Sequence, residues 1–138
     1  MKNNNKFIEK LRSLGLRPTE QRVKICEVLF NRNDTFHFTI NDLVKLLENK
    51  LNEKISLATV YNTIHAFKKK GYLKEISIKS DKTYFDTNIS NHHHFFNEST
   101  GELIDIKYEE IGNIKLKKTL PGKKIKSVEV LVKVANSN

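Results

Sequence analysis

Apolar residues recur through the first half of the chain at the three- and four-residue spacing of helices that bury one face. Phe7, Ile8, Leu11 and Leu14 form the first such stripe, which stops at Gly15, a residue suited to leaving a helix. Pro18 interrupts the chain, and Thr19 supplies an N-cap for a second helix running to about Phe30, with Ile25, Cys26, Val28 and Leu29 expected inside. Thr39 with Asp42 has the form of a capping arrangement ahead of Ile40, Leu43, Val44, Leu47 and Leu51, the stripe of a third helix. Ser56 caps a fourth, in which Leu57, Val60, Ile64 and Phe67 are expected to face the core until KKKG closes it at Gly71. The short polar turn between the third and fourth helices is helix-turn-helix spacing.

Beyond Gly71 the period changes from helix to strand. YLKEISI alternates, SDK makes a turn, and TYFD returns as a second short strand. Helices followed by such a hairpin describe a winged helix. From about residue 87 the texture changes again: HHHFF and ELIDI read as strands around the turn NESTG, and Val128, Val130, Val132 and Val134 mark a last strand. Residues 107 to 124 are lysine-rich, with a short helix through Tyr108 and Ile111 one reading before the Pro121-Gly122 turn. The expected fold class is α+β, with a winged helix-turn-helix in residues 1–86, a hinge at 87–91 and a small second domain in 92–138.

Composition narrows the classes of function. A chain of 138 residues has room for one ordinary domain or two very small ones, which argues against an enzyme with separate cofactor and substrate domains. Lys and Arg outnumber Asp and Glu by 25 to 16, a net charge of +9, and such a balance suits an anionic partner such as nucleic acid, although a merely solvated basic surface gives the same count. The single cysteine, Cys26, excludes an internal disulfide and a cysteine-based structural zinc site, fits a reducing, cytoplasmic compartment, and by its apolar neighbours reads as a core residue. No apolar run approaches the roughly 20 residues that span a bilayer, and the start MKNNNK lacks a signal-peptide core; no membrane partner is expected.

If the fourth helix packs through its apolar stripe, a turn of about 100° per residue leaves Ala58, Asn62, His65 and Lys69 on the opposite face, flanked by Thr59 and Tyr61. Such a face could offer Ala58 or Tyr61 to thymine methyls, Asn62 to an adenine edge and Lys69 to phosphate. Arg17 and the tip around Lys79 to Lys82 add candidate backbone contacts. An ordinary solvated helix face remains open at this point.

The second candidate site is built on histidine. Strand alternation sends His92 and His94 to one face and His93 to the other. Asp86 ends the preceding hairpin, Asp105 lies in the neighbouring strand, and His37 precedes the third helix. Three imidazoles and two carboxylates suit Fe(II), Mn(II) or Zn(II). Adjacent histidines could equally serve haem, with His92, His93 and His94 the candidates, and a plain solvated tract also fits the spacing. Two His and a carboxylate also make the facial triad of small non-haem iron enzymes, a rival that the helix-turn-helix disfavours. A passive nucleoid component is a third class, distinguished by DNA binding without operator preference or metal response.

The stretches GLRPTEQRVKI, SLATVYNTIHAF, KTYFDTNISNHHHFF and GELIDI together resemble the Fur superfamily of metal-responsive regulators, over about residues 11 to 106. Within it, YFDTN followed by HHHFF is most similar to the iron response regulator (Irr) branch. The resemblance implies a winged helix that binds an AT-rich, palindromic double-stranded DNA operator, a C-terminal α/β dimerisation domain forming a homodimer, and hinge ligands at His37, Asp86, His92, His94 and Asp105. It puts the family's base-contacting tyrosine at Tyr61, followed by Asn62 where Arg is frequent. It also implies a regulator of iron and haem homeostasis that responds to haem at His92 to His94, as in the Irr branch, or to a divalent metal at the hinge, with an Fe(II)- or Mn(II)-dependent Fur-like or peroxide-sensing PerR-like repressor as the alternative. Most of the superfamily carries CxxC pairs for structural zinc after the histidine tract; Asn97 and Thr100 stand there in this chain.

Overall fold

The computed structural model describes residues 2–79 and 82–137, with side chains from residue 5 onward. The expected turn at Ser80 and Asp81 lies outside the described residues. Two compact units divide between Ile89 and Ser90.

The first unit is built from local signals that each close a helix. Helix α1 (Lys2–Ser13) begins ahead of the apolar stripe, because no helix breaker precedes Phe7, and ends before Gly15 at φ +75°. Thr19 caps α2 (Glu20–Phe30), its hydroxyl accepting from Arg22 N. Helix α3 (Ile40–Leu51) opens on a full capping box, in which Thr39 Oγ1 accepts from Asp42 N at 3.1 Å and Asp42 Oδ2 from Thr39 N at 3.3 Å. Helix α4 (Leu57–Lys70) is capped by Ser56 and closed by Gly71 at φ +89°. Ile55, just before that cap, is buried in one cluster with Val60, four residues into the helix, the positions of a hydrophobic staple. Phe7, Leu11, Ile25, Cys26, Leu29, Leu43, Leu47, Ile64 and Phe67 complete the centre of this core, at roughly 1.5–3 kcal/mol for each large side chain removed from water.

Two burial expectations fail. Val28 is only half-buried, and Leu57 is 55% exposed, its place in the core taken by Thr63 at 0%. With about 100° per residue, Leu57 and Thr63 lie about 60° to either side of Val60. Polarity alone favours leucine for the inner flank. The fold chooses threonine because its hydroxyl is satisfied there, donating to Thr59 O at 2.7 Å and accepting from Arg22 Nε at 3.2 Å.

Strand β1 (His37–Phe38) was not expected. It pairs antiparallel with β3 (Lys82–Asp86), which also pairs with β2 (Lys74–Lys79), giving the order β1-β3-β2. Phe38 stacks between Phe36 and Phe85, with centroids 5.3 and 5.7 Å away.

In the second unit β4 (His92–Asn97) is central, antiparallel to β5 (Leu103–Lys107) and parallel to β6 (Leu131–Val134). Val128 and Val130 fall before β6, so the last strand is shorter than its valine alternation suggests. A 3-10 turn at Tyr108–Glu110 stands where the short helix was expected, with Ile111 just beyond it. The β4–β5 turn is closed by Asn97: its Oδ1 accepts from Ser99 N at 2.9 Å and Thr100 N at 3.3 Å, and its carbonyl accepts from Gly101 N at 2.7 Å. Ser99 Oγ in turn accepts from Asn136 N at 3.0 Å.

Candidate functional site

The chemistry-bearing residues fall into one cluster in each unit. In the first, β1 and β3 put His37 directly opposite Asp86, and cross-strand neighbours at that spacing meet. His37 Nε2 lies 3.0 Å from Asp86 Oδ2. Asp86 is fully buried, and its Oδ1 accepts from Asn88 N at 2.8 Å. A carboxylate is tolerated out of water only with such partners.

In the second unit the register pairs His94 with Asp105, and His92 and His94 project from one face of β4 with ring centroids 4.4 Å apart. Both aim at one oxygen: His92 Nε2 is 3.0 Å and His94 Nε2 3.1 Å from Asp105 Oδ1. His92 Nδ1 lies 2.7 Å from the Ser90 carbonyl. A carbonyl can only accept, so Nδ1 donates there, and the ring is held with Nε2 toward Asp105. Fixing the ring through its other nitrogen is how metal-binding histidines are oriented. Neighbouring donors about 3 Å apart also suit an ion with bonds of about 2.1 Å.

His93 behaves differently. It is 2% exposed, its Nδ1 accepts from Val130 N at 3.0 Å, and its ring stacks on Tyr108 at 5.6 Å. The middle histidine thus brackets β4 to the chain entering β6. Neither the Ser90 carbonyl nor the Val130 amide could be found by reading side chains, since backbone groups leave no mark on residue type.

The predicted nucleic-acid face is solvent-facing. On α4, Ala58, Asn62, His65 and Lys69 are exposed, Tyr61 is exposed, and Thr59 is half-buried. Leu57 joins this face instead of the core, an apolar addition that the helical stripe does not mark. Lys68, Lys69 and Lys70 gather at the C-terminal end of the helix, where its dipole favours cations. Arg17 is exposed, and its carbonyl accepts from Arg22 Nη1 at 3.1 Å. The same Arg22 reaches Thr63 through Nε, so one guanidinium ties the segment before α2 to the middle of α4.

A helix-turn-helix with a hairpin beside it is followed in the chain by a small sheet bearing imidazoles and a carboxylate. The ferric uptake regulator family matches residues 13–134, and the chain belongs to that family of DNA-binding, metal-responsive regulators. It is 35% identical to the peroxide operon regulator of Bacillus subtilis over 107 residues, 78% of this chain and 72% of that one. Among solved structures, the ferric uptake regulator of Vibrio cholerae is similar at 25% identity and a TM-score of 0.64, covering 94% of this chain and 98% of that one. The ferric uptake regulator of Pseudomonas aeruginosa, determined with manganese, shares the fold at 22% identity and a TM-score of 0.64, over 96% and 98% of the two chains.

Proposed function

We propose that this protein is a homodimeric repressor of a palindromic, AT-rich operator, and that a divalent ion held by His37, Asp86, His92, His94 and Asp105 governs its grip on DNA. The observation that carries the reading is the convergence of His92 Nε2 and His94 Nε2 on Asp105 Oδ1, with His92 Nδ1 tied to the Ser90 carbonyl. This donor set of nitrogen and oxygen fits Fe(II), Mn(II) or Zn(II). Bound there, iron would supply the redox chemistry that a peroxide sensor needs, and the likeness to the B. subtilis peroxide operon regulator favours that effector class.

The chain's own residues supply the coupling. Asn88 N–H steadies Asp86 and the Ser90 carbonyl orients His92, so the connecting backbone holds one candidate ligand on each side. An ion held by both would order that segment and set the spacing of two reading heads, which works only if the ion prefers one arrangement. Dimerisation is supported by the other face of the sheet, where the cross-strand partners Phe95 and Ile104 stay 37% and 42% exposed. Arg17, Ala58, Thr59, Tyr61, Asn62, His65 and Lys69 form the DNA face. No described helix is long and apolar enough to cross a membrane; a cytoplasmic location belongs to this proposal.

Between the two effectors that the histidine tract raises, the geometry favours the ion over haem. His93 gives Nδ1 to the Val130 amide and its face to Tyr108, while His92 and His94 already share a carboxylate. A porphyrin would have to break these contacts. The test is to titrate the metal-stripped full chain with Mn(II), anaerobic Fe(II) and haemin while following binding to a duplex enriched from a random-sequence pool. Binding that rises with Mn(II) or Fe(II), and is lost in the His92→Ala, His94→Ala double variant, is expected. Binding governed by haemin and indifferent to both ions would replace this reading with the Irr-like one.

A further inference from the structure

The exposed face of α4 carries one internal hydrogen bond that DNA recognition alone does not call for. His65 Nε2 lies 2.9 Å from Tyr61 Oη, and the two rings are in contact with centroids 4.5 Å apart. One helical turn separates them, the spacing at which side chains meet. Tyr61 is 48% exposed and Tyr61 and His65 both line a groove of about 660 Å³ between α3, α4 and the hairpin, so protein packing on its own leaves the tyrosine ring room to swing.

We infer that His65 is a positioning residue that holds the Tyr61 hydroxyl in a fixed place for base contact, and so sets operator preference rather than overall affinity for DNA. The inference rests on the reading of α4 as the recognition helix. A phenol offers one donor and two lone pairs. His65 occupies one of these directions and, with the ring contact, confines the side chain, leaving the rest of the hydroxyl's hydrogen-bonding capacity to face outward. Restraining a side chain before it binds spares the ordering loss that a free one suffers at an interface, which corresponds to about a two- to tenfold gain in affinity. The gain applies where the tyrosine meets a base and not where lysines meet phosphate, so it raises discrimination.

The experiment measures the ratio of affinities for the pool-selected duplex and for random DNA at fixed salt, using the metal-loaded full chain. His65→Ala and Tyr61→Phe should each lower the ratio by about fivefold, and the double variant should fall no further than the worse single. His65→Gln, whose amide reaches the same hydroxyl, should recover part of the loss, and thermal stability should not change. An unaltered ratio in His65→Ala, or losses that multiply in the double variant, overturns the inference. Tyr61→Ala and Asn62→Ala separate the two levels. If both leave operator binding unchanged, α4 is not the reading helix and this inference falls with that reading; if they weaken it while His65→Ala does not, only the positioning role is lost.

Discussion

Replacing Asp105 by Asn removes the charge at the oxygen on which two imidazoles converge while preserving side-chain volume. His92 Nε2 and His94 Nε2 stand 3.0 and 3.1 Å from that atom, so the substitution strikes a donor at the centre of the cluster. Loss of a group that merely supports a metal ligand weakens binding by about 10–100-fold; a carboxylate in contact with the ion belongs at the upper end, about 2.7 kcal/mol. With Mn(II) at about a thousand times the parent dissociation constant, binding stabilises the parent by about 4.1 kcal/mol. The variant then sees about ten times its own constant and gains about 1.4 kcal/mol. At about 3 °C per kcal/mol, the Mn(II)-induced rise in melting temperature falls from about 12 to about 4 °C. Scanning calorimetry of both proteins, chelated and loaded, reads this difference directly. Equal Mn(II)-induced rises would refute Asp105 as a ligand, and no rise in the parent would refute an ion at these donors altogether.

Other consequences concern the scaffold. Thr63→Val keeps the volume but leaves Arg22 Nε without the hydroxyl it donates to, and should cost about 1–2 kcal/mol in urea unfolding, whereas Leu57→Ala at an exposed position should stay within about 0.5 kcal/mol; the reverse order would mean that α4 is turned the other way. Burial pushes the Cys26 thiol up to about 12, against an opposing pull from Lys10. The folded state therefore keeps a proton that the unfolded chain gives up near 9, so the thiol's contribution to stability is whole below pH 9 and is lost as pH rises toward 12. A thiol reagent at pH 8 should label Cys26 only at the rate of unfolding, and rapid labelling of native protein would contradict its burial.

What could be read from residue order divides along physical lines. Caps act over three residues, so Thr19, Thr39 with Asp42, and Ser56 announced α2, α3 and α4 at their true starts. Alternation within β4 put His92 and His94 on one face and His93 on the other, because a strand's period is set by its own backbone. Pairing between distant segments leaves no such trace: β1 has two residues, and nothing local shows that His37 will lie opposite Asp86. Leu57 and Thr63 flank the buried stripe almost symmetrically, and part of what breaks the tie is Arg22, forty-one residues from Thr63 in the chain. The valines before β6 alternate as a strand would, yet Val130 instead gives its amide to His93.

The β4–β5 turn separates durability from responsiveness. Where most Fur-like sequences tie this corner with thiolates and zinc, Asn97 ties it with three hydrogen bonds, and Ser99 fastens it to the tail. If the histidine cluster holds the proposed ion, a chelator should empty it while the sheet beneath stays folded. Removing metal would then ask one question of the protein instead of two.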